Sequence, residues 1–182
     1  MKLAILDRDG VINVDSDAFI KSADEWIPLP GSLDAIARLH RAGWRVFVAT
    51  NQSGLARGLF DVEALTAIHT KMNRMIADAG GALAGVIYCP HAPDGGCECR
   101  KPAPGMYREI AERLGCSLTD IPVIGDSARD LEAATTVGAR PILVLTGKGT
   151  ETLAADPALA RGEVYADLEE AVEALLEEDT RW

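Results

Sequence analysis

The chain has 182 residues, 48% hydrophobic and 25% charged, which is ordinary for a globular protein and enough for one core. Its formal net charge of -10 argues against a general nucleic-acid-binding protein, because an acidic surface repels phosphate backbones. It has no apolar run of about 18 residues that would cross a membrane and no signal-peptide pattern at its start, so we expect a cytoplasmic protein.

Short apolar runs alternate with segments of helical periodicity along the chain. In chain order, the runs predicted as buried strands are 2–6, 45–49, 85–88, 122–125, 141–145 and 164–166. The segments predicted as helices are 31–43, 61–79, 104–114, 127–137 and 168–176. Residues 50–58 are predicted as a loop. Residues 147–149 contain two glycines without the spacing of a phosphate-binding loop and are predicted to be flexible.

This alternation predicts an α/β fold: a doubly wound, Rossmann-like parallel sheet in one domain that spans residues 1–182. The strands are continuous apolar runs, as expected when helices cover both faces of a sheet. The longest irregular stretches are 8–30 and 89–103. Loops of that length in a compact domain usually carry function.

Polar side chains follow four of the predicted strands, at the sheet edge where ligands bind in such folds. They are Asp7 and Asp9, Thr50 and Asn51, Arg100 and Lys101, and Asp126. Carboxylates bind a hard cation such as Mg²⁺, and lysine and short polar donors hold phosphate oxygens, so the set suits phosphoryl transfer. Asp7 can act as a nucleophile, and Asp9 can protonate a leaving group and then activate water. The alternatives are solvated strand ends, turn residues at 50–51, a solvated charge pair at 100–101 and a helix N-cap at Asp126.

A cluster of metal-binding residue types lies between the third strand and the next helix. Cys89, His91, Cys97 and Cys99 supply three thiolates and one imidazole within a short loop. Four such ligands fill a tetrahedral Zn²⁺ site and leave no open position, which predicts a structural zinc that orders this loop. Reduced free thiols or a redox pair are the alternatives.

Four segments resemble, in order, the motifs of haloacid-dehalogenase-like phosphatases: LDRDG at 6–10, VATNQSG at 48–54, CRKP at 99–102 and VIGDSARD at 123–130. The resemblance implies that Asp7 forms an aspartyl-phosphate, that Asp9 is the general acid and base, and that Thr50 and Lys101 steady the phosphoryl group. It implies that Asp7, the Asp9 carbonyl and Asp126 bind Mg²⁺. Asp130 would orient Lys101 or a metal-bound water. No insertion large enough for a cap domain is present, so a capless member is expected.

The segments DRDGVIN, TNQSGLARG, YCPHAP and CECRKPAPGM resemble one subgroup, which includes heptose bisphosphate phosphatases and histidinol-phosphate phosphatases. The resemblance implies hydrolysis of the 7-phosphate of D-glycero-D-manno-heptose 1,7-bisphosphate, in the pathway to ADP-heptose for lipopolysaccharide core. Histidinol-phosphate hydrolysis is one alternative, and a non-catalytic, zinc-ordered module that binds a phosphosugar is another.

The small-molecule substrate is expected to touch residues 14–20 and the main strand-end loops. The candidate substrate contacts are Arg8, Asp15, Asn51, Gln52, Ser53 and Arg100. No amphipathic segment is left over for an interface, so we expect a monomer.

Overall fold

The computed structural model describes residues 1–179; residues 180–182, the end of the predicted 1–182 domain, lie outside the described residues. The strands are β1 (Leu3–Leu6), β2 (Arg45–Asn51), β3 (Gly85–Cys89), β4 (Pro122–Gly125), β5 (Arg140–Val144) and β6 (Glu163–Tyr165). The α-helices are α1 (Ser32–Arg41), α2 (Val62–Asp78), α3 (Gly105–Leu114), α4 (Ala128–Thr136), α5 (Gly149–Ala155) and α6 (Leu168–Asp179). A 3-10 helix, Pro157–Arg161, precedes β6.

The strands form one parallel sheet in the order β3-β2-β1-β4-β5-β6. The order reverses between β1 and β4, and a crevice opens at such a switch point beyond the carboxyl ends of the strands. The predicted doubly wound α/β fold is therefore confirmed. Within residues 1–179, no cap domain interrupts the order of elements. None of the helices in this part of the chain is long and apolar enough to cross a membrane.

Alternate residues of the strands build two cores, one on each face of the sheet. Leu6 and Val48 face a core closed by α1, α2 and α6. Ile5 and Phe47 face a core closed by α3 and α4. Because both faces are buried, the strands read as continuous apolar runs rather than alternating patterns.

The structure differs from the predicted elements near the carboxyl edge of the sheet. β2 continues through Thr50 and Asn51, which were predicted as loop, because they pair with Tyr88 and Cys89 of β3. The 147–149 segment leads directly into α5, a helix that the sequence pattern does not reveal. The hydroxyl of Thr152 in α5 donates to the Asp126 carbonyl at 2.8 Å, which ties this helix to the end of β4.

Candidate active site

A cavity of about 290 Å³ opens beyond the carboxyl ends of β1, β2 and β4. It contains eleven of the residues that the sequence singles out: Asp7, Asp9, Asp15, Thr50, Asn51, Gln52, Ser53, Arg100, Lys101, Asp126 and Asp130. Its lining combines carboxylates with cationic side chains, as an anionic substrate with a bound cation requires.

Lys101 lies at the floor of this cavity between two carboxylates. Its Nζ is 3.0 Å from Asp7 Oδ1 and 2.6 Å from Asp130 Oδ1, and it donates to the Ala49 carbonyl at 2.7 Å. Burial opposes the charge of Lys101, but the carboxylates of Asp130 and Asp7 outweigh burial and raise its pKa. Lys101 therefore stays cationic at the point where Asp7 faces the cavity.

The carboxylates of Asp7, Asp126 and Asp130 offer oxygens that all lie within 4.8 Å of one another. Burial, opposed by Lys101, raises the pKa of Asp7 to about 8. Burial likewise raises the pKa of Asp126 to about 6, although the backbone N–H of Lys148 donates to it at 2.8 Å. Closely spaced carboxylate oxygens are the donor set that a hard divalent cation prefers, so these residues fit Mg²⁺.

Two glycines make room for the Asp126 carboxylate. Gly10 and Gly147 both have positive φ angles, 83° and 55°, and a side chain on either residue would collide with Asp126. Asp126 is not the helix N-cap that the sequence left open. Ser127 takes that place at α4, and its backbone N–H and hydroxyl donate to Asp130 Oδ2 at 3.1 and 2.7 Å.

Asp9 is held by donors from three side chains. Asn13 Nδ2 donates to Oδ1 at 2.9 Å and Gln52 Nε2 to Oδ2 at 3.0 Å. Arg8 adds Nε and Nη2, at 3.1 and 2.9 Å from Oδ1. Arg8, predicted to contact substrate, has a fully buried side chain that points at Asp9 rather than into the cavity.

Asn51 joins β2 to the loop that carries Lys101. Its Nδ2 donates to the Lys101 carbonyl at 3.1 Å, and its Oδ1 accepts from the Lys101 backbone N–H at 3.1 Å. Thr50, in the same strand, accepts from Gln52 Nε2 at 2.9 Å. The polar side chains at and just beyond the end of β2 therefore hold both the Lys101 backbone and the Asp9 carboxylate.

The rim of the cavity contains cationic residues that the sequence reasoning did not single out as ligands: Arg57, Arg129 and Lys148. Burial, and then the nearby charges of Arg129 and Arg57, lower the pKa of Arg100, so cationic side chains gather around Arg100 at this rim. Lys148 Nζ lies 3.7 Å from Asp15 Oδ2 and 3.4 Å from Asp17 Oδ1. Residues of the 14–20 loop border the cavity, and the Arg57 guanidinium carbon lies 5.5 Å from the centre of the Phe19 ring.

The four predicted zinc ligands come together beside this cavity. Cys99 Sγ lies 3.2 Å from Cys89 Sγ, 3.5 Å from Cys97 Sγ and 3.3 Å from His91 Nδ1. Cys89 Sγ lies 3.7 Å from Cys97 Sγ and 3.6 Å from His91 Nδ1. Ligands about 2.0–2.3 Å from a tetrahedral zinc are separated by roughly 3.5–3.8 Å, so the cluster fits Zn²⁺.

Comparison with known proteins gives matches over nearly the whole chain. A family model described as HAD-hydrolase-like matches residues 98–171. The D-glycero-beta-D-manno-heptose-1,7-bisphosphate 7-phosphatase of Bordetella bronchiseptica is 58% identical, over 98% of this chain and 99% of the relative. The protein of the same name from Pseudomonas aeruginosa is 53% identical, over 96% of this chain and 98% of the relative.

Solved structures give the same result. The crystal structure of the D,D-heptose 1,7-bisphosphate phosphatase from B. bronchiseptica, complexed with magnesium and phosphate, matches with a TM-score of 0.95 and 58% identity. The match covers 98% of this chain and 99% of that one. The resemblance in the sequence motifs is thereby confirmed. The chain belongs to the haloacid-dehalogenase-like hydrolases and, within them, to the family of D-glycero-beta-D-manno-heptose-1,7-bisphosphate 7-phosphatases.

Proposed function

We propose that the chain is a magnesium-dependent phosphomonoesterase that removes the 7-phosphate of D-glycero-D-manno-heptose 1,7-bisphosphate. The observation that carries the proposal is the contact of Lys101 with Asp7, at 3.0 Å, beside the carboxylates of Asp126 and Asp130. A cation and a metal-binding carboxylate cluster meet there at the carboxylate that directly follows β1, beside the switch-point cavity. The names of the relatives support the choice of substrate.

Asp7, the backbone carbonyl of Asp9 and Asp126 would hold the magnesium ion. Bound there, Mg²⁺ would neutralise oxygens of the phosphoryl group and so favour attack by an anionic carboxylate. Lys101 and the Thr50 hydroxyl would hold the remaining phosphoryl oxygens. Asp130 would keep Lys101 in place through their 2.6 Å contact.

The reaction would proceed in two steps. Asp7 attacks phosphorus, the P–O bond to the sugar C7 oxygen breaks, and Asp9 gives its proton to the leaving alkoxide. Asp9 then takes a proton from water, which attacks the phosphorus of the aspartyl-phosphate. Phosphate leaves and the Asp7 carboxylate is restored. Both aspartates line the cavity, and Asp9 keeps 22% of its side chain exposed there.

The rim suits a substrate with a second anionic group. The charges of Arg129 and Arg57 lower the pKa of Arg100, and a second phosphate bound among these three cations would offset that repulsion. The carboxylates of Asp15 and Asp17 can accept hydrogen bonds from sugar hydroxyls between the two phosphates. Histidinol phosphate has a single phosphate and a cationic amine. Three arginines at the rim would bind it less favourably than a substrate with two phosphates.

The cysteine cluster would hold a structural zinc, with all four positions taken by Cys89, His91, Cys97 and Cys99. Cys99 adjoins Arg100 and Lys101, so a zinc-ordered loop would place both cations. We also propose that residues 1–182 act as one domain, as a monomer in the cytoplasm, because one chain supplies every group that the mechanism uses.

Phosphate release from a panel of substrates tests the proposal. The panel contains heptose 1,7-bisphosphate, histidinol phosphate and sugar monophosphates, each with magnesium and with EDTA. We expect fastest turnover of the heptose bisphosphate, with loss of the 7-phosphate and retention of the 1-phosphate in ³¹P NMR. Faster turnover of histidinol phosphate would support the alternative substrate. Binding of the bisphosphate without turnover would support a non-catalytic module.

A further inference from the structure

The side chain of Arg8 is a fully buried cation. Its guanidinium donates hydrogen bonds to two partners, Asp9 and His69. Nε and Nη2 face the Asp9 carboxylate, with Nη2 3.0 Å from Oδ2 as well as 2.9 Å from Oδ1. Nη1 points the other way, to His69 Nε2 at 3.2 Å. Because the guanidinium is planar, whatever holds Nη1 also sets the plane that meets Asp9.

His69, on α2, can serve Arg8 only as an acceptor. A guanidinium has donors and no acceptor, so Nε2 must be unprotonated and the ring proton must sit on Nδ1. Burial, followed by the charge of Arg8, lowers the pKa of His69 to about 4, so the ring is neutral at physiological pH. The Tyr88 ring lies beside the imidazole, with ring centres 6.1 Å apart and planes inclined at 58°.

We propose that His69 is a positioning residue for the reaction: through Arg8, it holds the Asp9 carboxylate in the orientation needed for proton transfer to the leaving group. The inference rests on the proposed role of Asp9. It assigns a task to a histidine that lies outside the cavity lining and that the phosphoryl-transfer scheme does not otherwise use.

Loss of the His69 acceptor would leave Nη1 of a fully buried guanidinium unpaired. The guanidinium would then turn or shift to find another acceptor, and the two-atom contact with Asp9 would weaken. Asn13 and Gln52 would still hold Asp9, so we expect displacement of the carboxylate rather than its release. Proton transfer is sensitive to such displacements. Asp7 instead accepts from the Arg8 backbone N–H, at 2.7 Å from Oδ1, and a shift of the guanidinium leaves that contact in place.

The leaving group provides the test. An alkoxide leaving group needs the proton of Asp9, whereas p-nitrophenolate leaves without one, and kcat/KM reports the steps through its departure. In His69→Phe we expect kcat/KM to fall about tenfold for the sugar phosphate and less than about twofold for p-nitrophenyl phosphate. His69→Gln, whose amide oxygen can replace the Nε2 acceptor, should stay within about threefold of the parent for both. His40→Phe, at an exposed position of α1, is the matched control and should change neither.

Equal losses for both substrates in His69→Phe, or no loss for either, would overturn the inference. Crystal structures of the two His69 variants give a readout that does not depend on turnover. We expect the Asp9 carboxylate to be displaced from Arg8 in His69→Phe and to remain in place in His69→Gln. If the Asp9 carboxylate keeps its position against Arg8 in His69→Phe, the inference is wrong even if the proposed function holds. A parent protein that releases no phosphate would instead count against the proposed function.

Discussion

The ammonium of Lys101 lies 2.6 Å from the carboxylate of Asp130, and both side chains are at most 2% exposed. Asp130 is held in turn by Ser127, which donates to its other oxygen at the start of α4. A charge pair this deeply buried costs much more to break than a pair on the surface, because the remaining partner becomes an uncompensated charge with little access to water. Asp130 therefore supports both the fold and the position of Lys101.

We expect Asp130→Asn to lower the free energy of unfolding by about 3 kcal/mol, towards the low end for a buried pair because Asp7 still pairs with Lys101. The matched control is Glu109→Gln, which breaks the exposed pair with Arg113 and should cost less than about 1 kcal/mol. Urea unfolding curves with unchanged slope provide the measurement. Equal, small losses in both variants would show that the Lys101–Asp130 contact is not structurally important.

The three rim arginines lead to a prediction about substrate choice. Arg100→Gln should raise KM for heptose 1,7-bisphosphate about tenfold, because a charge-assisted contact to the second phosphate is lost. The KM for heptose 7-phosphate, which lacks that group, should change less than about threefold. Steady-state kinetics on the two substrates measure the difference, with Arg108→Gln on the exposed face of α3 as control. A similar rise for both substrates would place Arg100 at the transferred phosphate instead.

The cysteine cluster predicts about one zinc per chain that stays bound through gel filtration. Cys97→Ser should lose this zinc and lower Tm by at least about 5 °C, because metal binding contributes to the folding free energy of the 89–99 loop. Metal analysis and thermal unfolding provide the readouts. Cys116→Ser, at a thiol outside the cluster, should keep the metal. Zinc-free parent protein with unchanged stability would rule out the site.

The half-buried, neutral His69 predicts a pH dependence of stability. Its pKa in the folded protein is about 4, below the ordinary histidine value of 6.5, so the unfolded chain binds the proton first as pH falls. The free energy of unfolding should therefore fall between pH 6.5 and 4, by on the order of 3 kcal/mol from this group alone. Arg8 opposes and Asp9 favours protonation of the ring, and Tyr88 packs on it.

His69→Phe should lose this part of the pH dependence, and His40→Phe should keep it. The measurement is the difference in unfolding free energy between each variant and the parent at several pH values. A parallel pH dependence in His69→Phe and the parent would show that His69 is not held neutral.

Much of the fold was predictable because strands that are buried on both faces of the sheet have continuous apolar sequences. A continuous apolar run that stops at Asp7 marks both a strand and the carboxylate at its end. α5 was missed because the glycines at 147 and 149 suggested a loop, and its contacts to Asp126 come from distant parts of the chain.

Site residues that directly follow a strand were predictable from the sequence. Site residues farther along the chain from a strand were less predictable. Arg57 and Arg129 lie several residues beyond their strands, and only the packed fold brings them to the rim. The burial of the Arg8 side chain was not foreseen, because a charged residue next to two site aspartates suggests contact with substrate. Its burial depends on Asp9 and on His69, which lies 61 residues away along the chain.

The central claim is that Asp7 takes the phosphoryl group during turnover. The most direct measurement is rapid acid quenching of the enzyme with heptose 1,7-bisphosphate and magnesium, followed by mass spectrometry of its peptides. We expect one phosphoryl group on the peptide that contains Asp7, and none in Asp7→Asn, which should also release no phosphate. Turnover by Asp7→Asn at the rate of the parent, or a phosphoryl group on a different residue, would contradict the account.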